Sequence, residues 1–211
     1  MSSKRHTTTP TNEKRVLALA RDKRMLRAHD LTPFGISREV LRRLEASGQL
    51  ERRARGIYAP TDVPPTEQAT LVAATVRVRH AVVCLLSALR FHDLTTQNPS
   101  EVWLAIDRKA WSPMVRDLPL RIVRFSGRAL TMGVERHIVD GVKIAVYGPA
   151  KTVADCFKYR RKVGTDVAIE VLQEVWRSRR SSIDELAKYA AICRVSNVMR
   201  PYLESITANG R

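Results

Sequence analysis

One amphipathic segment with well-marked ends, residues 37–48, constrains this chain more than any other feature of its sequence. Ser37 belongs to the residue types preferred as N-caps, and Gly48 stands where a helix commonly ends in a left-handed residue. The apolar positions between them fall on one face at 100° per residue; they are Val40, Leu41 and Leu44. The pattern predicts a short helix that turns Arg38 and Arg42 outward.

The neighbouring segments complete a recognisable order of elements. Cap residues precede a helix predicted at Asn12–Lys23, a shorter helix is predicted at residues 27–31, and Pro33 and Gly35 break the chain before Ser37. Two short strands, at residues 50–53 and 57–59, can pair as a hairpin after it. Helix, short helix, turn, helix and hairpin is the order of a winged helix-turn-helix.

The arginines of this motif are the candidate DNA-binding residues. Ser37, Arg38 and Arg42 are expected at base edges or adjacent phosphates, because the guanidinium fork can bond guanine bidentately or clamp a phosphate. Phosphate contacts are expected from the flank of the helix and from the hairpin, at Arg43, Arg52, Arg53 and Arg55. The alternative is a small helical domain with a solvated basic face.

Net charge favours the first interpretation. The chain of 211 residues has a formal charge of +16, which suits a polyanionic partner such as nucleic acid. Residues 1–62 hold 14 basic and 7 acidic residues (+7), and residues 63–211 hold 23 and 14 (+9), so the first part is about twice as positive per residue. Apolar runs are too short for a membrane span and residues 1–10 lack a signal-peptide core, so we expect a cytoplasmic protein.

Prolines mark a domain boundary after the hairpin. Pro60, Pro64 and Pro65 lie within six positions, which is typical of a linker. We predict a DNA-binding domain at residues 1–62, with a disordered basic N-terminal tail, and a second domain at residues 63–211.

The second domain reads as a mixed sheet followed by helices. A helix at residues 66–78 leads into buried strands and a hairpin through Asp140-Gly141, with the strands at 82–86, 102–106, 120–125, 136–139 and 141–146 and a helical stretch at 87–92. Helices are then predicted at 149–161, 165–177, 183–193 and 196–207. The fold class is therefore α+β, with an N-terminal winged helix-turn-helix.

The chemistry of the second domain is weakly marked. It contains none of the common phosphate-loop, dinucleotide, zinc-protease or hydrolase motifs, and we expect no cofactor and no catalytic residues. Cys84, Cys156 and Cys193 lack metal-site spacing, so no metal site is expected and the thiols are interpreted as buried or idle. The three tryptophans are interpreted as core or packing residues rather than as stacking platforms; they are Trp103, Trp111 and Trp176.

Two enzymatic alternatives remain open on the sequence. Asp107 and Lys109 have the D-x-K form of some metal-dependent nucleases, for which Glu101 or Asp93 could supply a further ligand. Two histidines stand near aspartates, as acid-base pairs do, although such pairs mostly satisfy local hydrogen bonds; the pairs are His92 with Asp93 and His137 with Asp140.

Basic residues cluster at two predicted helix ends in the second domain. They can stabilise the helix dipoles, or they can provide further contacts with nucleic acid. The residues are Lys158, Arg160, Arg161, Lys162, Arg177, Arg179 and Arg180.

Several motifs resemble the AbiEi-type antitoxin family. In the N-terminal part they are Gly35-Ile36-Ser37, Leu41-Arg42-Arg43-Leu44, Gly48-Gln49-Leu50 and Arg55-Gly56-Ile57-Tyr58. Later matches are residues 87–94, residues 142–146 and Pro149-Ala150-Lys151-Thr152-Val153-Ala154-Asp155. Matches in order cover residues from about 12 to 180, with little to match at residues 118–135.

The resemblance implies a two-domain antitoxin of a type IV, abortive-infection-like system involved in phage defence. Such a protein represses its own operon through the winged helix and counteracts a nucleotidyltransferase-like toxin, without needing a stable complex with it. The operator would be double-stranded DNA, an inverted repeat bound by a dimer or by two monomers. A protein that inhibits its toxin by direct binding, and a nuclease delivered by the winged helix, remain the alternatives.

Overall fold

The computed structural model describes residues 11–208, in two compact units. The first unit runs through Ala69 and takes in Ile138–Val142, and the second holds the remaining residues. The boundary predicted between residues 62 and 63 stays a prediction, and the predicted N-terminal tail lies outside the described residues apart from its last positions.

The first unit contains two α-helices, a 3-10 helix and a small sheet. In chain order they are α1 (Asn12–Lys23), β1 (Leu26–Arg27), the 3-10 helix (Ala28–Phe34), α2 (Glu39–Ala46), β2 (Leu50–Ala54) and β3 (Ile57–Pro60). The sheet order is β1-β3-β2, with both pairings antiparallel. This is the predicted winged helix-turn-helix, with one short strand that the sequence pattern did not reveal.

Local chemistry explains where these helices begin and end. Thr11 caps α1, since its hydroxyl accepts a hydrogen bond from the Lys14 N–H at 3.4 Å. Gly48, just after α2, has a φ of +71°, the left-handed conformation predicted for it, and the next N–H bonds back to the Leu44 carbonyl at 2.9 Å. The 3-10 helix continues through Pro33 to Phe34, so the predicted break begins later than expected, at Gly35.

One apolar cluster holds the first unit together. The helices α1 and α2 and the sheet all contribute to it, and its members include Val16, Leu17, Ala20, Leu26, Leu31, Ile36, Val40, Leu41, Leu44, Leu50 and Tyr58. All three predicted core residues of α2 belong to the cluster. Their burial fixes which face of α2 points to solvent.

The second unit is a five-stranded sheet with helices. Its elements are α3 (Ala69–Arg77), β4 (Val82–Val83), α4 (Leu85–Phe91), β5 (Val102–Asp107), β6 (Leu120–Phe125), α5 (Arg128–Thr131), β7 (Val134–Val139), β8 (Val142–Tyr147), α6 (Pro149–Lys158), α7 (Arg160–Val163), α8 (Thr165–Arg177), α9 (Ile183–Cys193) and α10 (Ser196–Ala208). The sheet order is β6-β5-β4-β8-β7. β4 pairs antiparallel with β5 and parallel with β8, while β5 and β6 are parallel, so the predicted mixed sheet is confirmed.

Three details of this unit differ from the sequence pattern. The strand predicted to reach residue 86 ends at Val83, because Leu85 takes a φ of +48° and begins α4. The helix predicted to end at residue 161 ends at Lys158, where Tyr159 interrupts it before the short helix α7. The short helix α5 was not predicted.

Helix α6 is the central helix of the second unit. It packs against α4, α8 and α9, and nearly all of its residues are buried. The fully buried Phe157 belongs to the large apolar cluster of this unit, together with Val153 on the same helix. A helix with so little solvent-exposed surface must place any polar side chain inside the core.

Candidate nucleic-acid interface

The start of α2 is shaped by Ser37. Its hydroxyl accepts a hydrogen bond from the Glu39 N–H at 3.2 Å, and Arg38 between them already has helical backbone angles. The N-cap position of α2 is Arg38, so the cap predicted at Ser37 is one residue too early, and the Ser37 hydroxyl bonds the first N–H of the helix from the position before the cap.

Two arginines of α2 project into solvent, on the side away from the buried face. Arg38 and Arg42 are both exposed, as the helical periodicity predicts. Arg42 lies 3.6 Å from the Glu39 carboxylate, and both side chains are more than half exposed. An exposed pair at this separation is weak, so Arg42 can exchange it for a phosphate or a base edge.

Arg43 has a different environment from its two neighbours. Its guanidinium lies 3.4 Å from the Glu13 carboxylate of α1, so part of its charge is compensated within the first unit. The sequence placed Arg43 on the flank of the helix but did not indicate this partner, since the two residues are thirty positions apart.

The hairpin of β2 and β3 forms the wing. Its turn is made by Gly56, whose φ is +76°, and the register shifts between Arg52 and Ala54, which leaves Arg53 at an irregularity of the ladder. Arg53 is only partly exposed and lies 3.0 Å from Glu51. The sequence grouped three wing arginines together, whereas the structure gives Arg53 an acidic partner.

The two remaining wing arginines are exposed, at Arg52 and Arg55. Among residues 11–208 neither one forms an ion pair or a side-chain hydrogen bond, and Arg38 is in the same state. Of the arginines of the first unit nominated from the sequence, these three are therefore the most available to a polyanion.

Sequence reasoning missed a further aromatic and basic pair. Phe34 ends the 3-10 helix with 44 % of its surface exposed, and the guanidinium of Arg15 lies 5.7 Å from its ring centroid. The position of Phe34 between Pro33 and Gly35, in the turn before α2, was the only available signal. This pair adds a candidate contact at the turn of the motif.

The basic clusters of the second unit separate into groups with different partners. Lys158 donates to the Cys193 carbonyl at 2.8 Å, and Arg160 donates to the Phe157 carbonyl at 2.9 Å, so both complete helix ends in the way that dipole stabilisation predicts. Arg177 pairs with Glu174. The exposed members without an ion pair in the described chain are Arg161, Lys162, Arg179 and Arg180.

The residues nominated for a nuclease site are not gathered together. The Asp107 carboxylate accepts a hydrogen bond from the Lys109 backbone N–H at 2.7 Å. Glu101 pairs with Arg121 and Asp93 pairs with Arg90, so neither nominated acid faces Asp107 as a second ligand. Within residues 11–208 no group of three or more acidic, histidine or cysteine side chains could hold a metal ion.

The two histidines that the sequence paired with Asp93 and Asp140 contact other local groups instead. His92 Nε2 lies 2.9 Å from the Tyr147 carbonyl, and burial lowers the pKa of His92. His137 Nε2 lies 3.2 Å from the Glu135 carboxylate. Both arrangements fit the structural interpretation, in which the histidines satisfy nearby hydrogen-bonding groups.

A buried ion pair lies inside α6. Lys151 and Asp155 are fully buried, their charged groups are 2.5 Å apart, and the Cys193 thiol donates to the second carboxylate oxygen at 3.3 Å. The Lys151 ammonium also lies 4.1 Å from the ring centroid of Tyr147. Burial raises the pKa of Asp155 to about 6, although the positive charge of Lys151 opposes the shift.

All three cysteines are free and buried, as expected. Burial raises the pKa of each thiol, with the negative charge of Asp155 as a second cause. The thiols are therefore protonated near neutral pH and poorly reactive.

The tryptophans divide in a way that corrects the sequence interpretation. Trp103 is buried in the core and Trp176 is partly buried, whereas Trp111 is 94 % exposed. Trp111 lies in an irregular connection, where periodicity carries no information about burial.

Among the described residues, no helix has both the length and the apolar character needed to cross a membrane.

Comparisons with known proteins agree with this architecture. No curated protein matches the chain. Its fold is similar to that in the crystal structure of the RV2827C protein from Mycobacterium tuberculosis, with a TM-score of 0.56 and 18 % identity over 87 % of this chain and 72 % of that chain. At this identity the likeness concerns the fold alone.

A family model covers the N-terminal motifs. Residues 14–61 match the model described as transcriptional regulator, AbiEi antitoxin, a winged-helix domain. The resemblance of the first set of motifs is thus confirmed, and the resemblance of the later motifs, beyond residue 61, stays a prediction. Residues 14–61 are therefore similar to the model of the AbiEi antitoxin family of transcriptional regulators.

Proposed function

We propose that this protein is a sequence-specific repressor that binds operator DNA through its winged helix and acts as the antitoxin of a type IV system in the cytoplasm. The observation that carries the DNA-binding part is the placement of Arg38 and Arg42. Both are exposed, Arg38 at the N-cap of α2 and Arg42 on the face opposite the buried apolar residues. The second helix of such a motif is the one that enters the major groove.

Within this proposal the three residues at the start of α2 read the sequence. Ser37, Arg38 and Arg42 reach base edges or adjacent phosphates, where each well-formed bidentate contact discriminates by about 1–3 kcal/mol. Arg38 has no ion pair to give up within residues 11–208, and Arg42 has only a weak exposed one.

The wing and the flank of α2 position the protein on the phosphate backbone. Arg52 and Arg55 are exposed and unpaired within the described residues, so they contribute most. Arg43 and Arg53 contribute less, because each must first give up an acidic partner at 3.4 Å and 3.0 Å. The sequence had nominated all four arginines as phosphate contacts without ranking them.

Alanine substitution tests the division between reading and positioning. We expect Arg38→Ala or Arg42→Ala to cost about 1–3 kcal/mol of operator affinity and to relax the preference among operator variants. Arg52→Ala and Arg55→Ala should weaken all duplexes alike, each lowering the slope of log K against log salt by about one. The operator is found by footprinting the promoter region of the protein's own operon, where we expect an inverted repeat.

A matched control is available on the surface of the second unit. Arg200→Ala removes an equally exposed arginine, whose side chain is 73 % exposed, and should leave operator affinity unchanged. If the double variant with alanine at Arg38 and Arg42 bound the operator with the affinity and specificity of the original protein, the assignment of α2 would be wrong.

The antitoxin part of the proposal concerns the second unit. Its partner is a nucleotidyltransferase-like toxin encoded beside it, counteracted without a stable complex. The support is the family description of residues 14–61 together with the later motifs, of which Lys151 and Asp155 form the buried pair of α6.

Co-expression separates the two activities. The double variant Arg38→Ala/Arg42→Ala should lose repression of an operon reporter and still restore growth of cells that express the adjacent toxin. Growth that is not restored by the original protein would contradict the antitoxin role. Co-elution of toxin and antitoxin in gel filtration would instead support inhibition by direct binding.

A further inference from the structure

The connection between β5 and β6 carries an unusually exposed tryptophan. The two strands are parallel neighbours, and parallel neighbours need a crossover of a dozen or more residues, usually a helix. Here residues 108–119, the Trp111 loop, cross over without any helix or strand. Trp111 is 94 % exposed and Met114 is 87 % exposed. Tryptophan and methionine are enriched at interaction surfaces relative to the rest of the protein surface.

The loop is held in place beneath the tryptophan. The guanidinium of Arg124 donates to the carbonyls of Asp107, Arg108 and Ala110 at 3.3, 3.0 and 2.8 Å. It also donates to the hydroxyl of Ser112 at 3.0 Å. These bonds hold the backbone that precedes Trp111 and the side chain of the residue that follows it, so the indole extends from an ordered segment. Such preorganisation reduces the entropy lost on binding.

The Trp111 loop carries exposed basic side chains. Arg108 and Lys109 are exposed and form no ion pair among residues 11–208. The Tyr159 hydroxyl donates to the backbone carbonyl of Arg124 at 3.2 Å, and the Lys162 ammonium lies 5.7 Å from the Tyr159 ring centroid. Lys162 therefore contacts the ring of Tyr159, and Tyr159 in turn bonds the backbone of Arg124. The tryptophan thus has basic neighbours on its own loop, and Lys162 on α7 is connected through Tyr159 to the strand that carries Arg124.

We propose that the Trp111 loop, together with Arg108, Lys109 and Lys162, binds single-stranded nucleic acid, with Trp111 stacked on an unpaired base. Stacking of bases on aromatic side chains beside a basic groove is the usual way in which proteins hold single strands. In a duplex the faces of the bases are covered by their neighbours, so the indole has no face to stack on. This surface is distinct from the winged helix and does not depend on its operator.

The composition of the loop favours a nucleic acid over a protein partner. Docking of a protein generally requires a contiguous apolar patch of several hundred Å². Around Trp111 the chain instead places Ala110, Ser112 and two exposed cations, and Met114 is the other large apolar side chain of the loop that is strongly exposed. A lone aromatic side chain among positive charges complements an alternation of bases and phosphates.

The test measures binding of the full chain to labelled oligonucleotides of about 12 nucleotides, a length within the usual site sizes for single strands. The probes are one RNA, the DNA of the same sequence, and the DNA duplex. We expect Trp111→Ala to lower affinity for the single strands at least tenfold, and Trp111→Phe to lower it by less than threefold, because a phenyl ring still stacks. The Arg108→Ala/Lys109→Ala and Lys162→Ala variants should lower affinity and flatten its salt dependence.

Two controls keep the outcome decisive. Met114→Ala removes an equally exposed apolar side chain from the same loop and should change single-strand affinity by less than twofold. Operator binding should survive every loop variant and fail in Arg38→Ala/Arg42→Ala, so the two proposals fail separately. Single-strand binding that is absent, or that Trp111→Ala leaves unchanged, would overturn the proposal. So would capture of the adjacent toxin that depends on Trp111 while single strands do not compete.

Discussion

Two helices of this protein carry basic residues at helical spacing and place them in opposite surroundings. On α2, Arg38 and Arg42 project into solvent from a helix with one buried face. On α6, Lys151 is fully buried beside Asp155, in a helix that packs on several others. The charge of an exposed arginine is solvated by water, which a bound polyanion can replace. The charge of a buried lysine depends on its protein partners. Basic residues are therefore available for recognition in one unit and belong to the core in the other.

Breaking the buried pair should produce the largest effect. We expect Lys151→Met to lower the free energy of unfolding of the second unit by about 3–5 kcal/mol, because it leaves the Asp155 carboxylate buried without its cation. The double variant Lys151→Met/Asp155→Leu should recover most of this loss, since apolar replacements of similar volume remove both charges together. Urea unfolding followed by circular dichroism measures both values. A double variant no more stable than Lys151→Met would show that the loss does not come from the unpaired Asp155 carboxylate.

The pH dependence should have opposite signs at buried and exposed carboxyls. The pKa of Asp155 is raised to about 6, mainly by burial, so between pH 4 and 6 the folded state holds a proton that the unfolded state releases. This contribution is fully present below about pH 4 and is lost as the pH rises through 6, and it amounts to about 3 kcal/mol. A hydrogen bond from Arg21 lowers the pKa of Asp62, and one from Arg77 lowers that of Asp117, so these two lose stabilisation as the pH falls.

Comparison with Asp155→Asn isolates the buried group. The difference in unfolding free energy between this variant and the original protein should shift by about 3 kcal/mol between pH 4 and pH 7, in the direction that favours the original protein at low pH. Asp62→Asn serves as the exposed control, and its difference should move in the opposite direction. A difference for Asp155→Asn that did not vary with pH would mean that the carboxyl keeps its ordinary pKa.

Alanine substitution of two glycines compares packing in the interior with packing at the surface. Gly133 has a φ of +75°, and a Cβ there would lie 2.7 Å from the Cβ of the buried Lys151. Gly48 has nearly the same φ, +71°, but a Cβ there would meet nothing within 4 Å. Gly48→Ala should cost about 1–2 kcal/mol from backbone strain alone, and Gly133→Ala about 2 kcal/mol more because of the clash. Equal losses in urea unfolding would contradict close packing around α6.

The sequence predicted most of the first unit because its signals are local. The bounds of α1, the left-handed Gly48 and the core face of α2 all depend on residues within a few positions of one another. The second unit was predicted as a mixed sheet with helices for the same reason, and the bounds of α8 and α9 are confirmed.

What the sequence could not predict depends on contacts between distant positions. The partner of Arg43 is Glu13 on another helix, and the burial of Lys151 depends on helices that follow it in the chain. Trp111 was expected in the core because tryptophan is usually buried, yet its loop has no periodicity from which its exposure could have been read. The proposed roles of the α2 and wing arginines stay predictions until DNA binding is measured.

The smallest expected effect concerns the ion pair that connects the two helices of the winged unit. Glu13 holds Arg43 at 3.4 Å, so Glu13→Gln should free the guanidinium for phosphate contact and raise affinity for any duplex by a few fold at low salt. The slope of log K against log salt should become steeper by about one, since one more cation is available. Asp22→Asn removes one exposed negative charge from the same helix, at a position without an ion pair in the described chain, and should change affinity less. Equal gains in the two variants would mean that only net charge changed, and that Arg43 already reaches the DNA in the original protein.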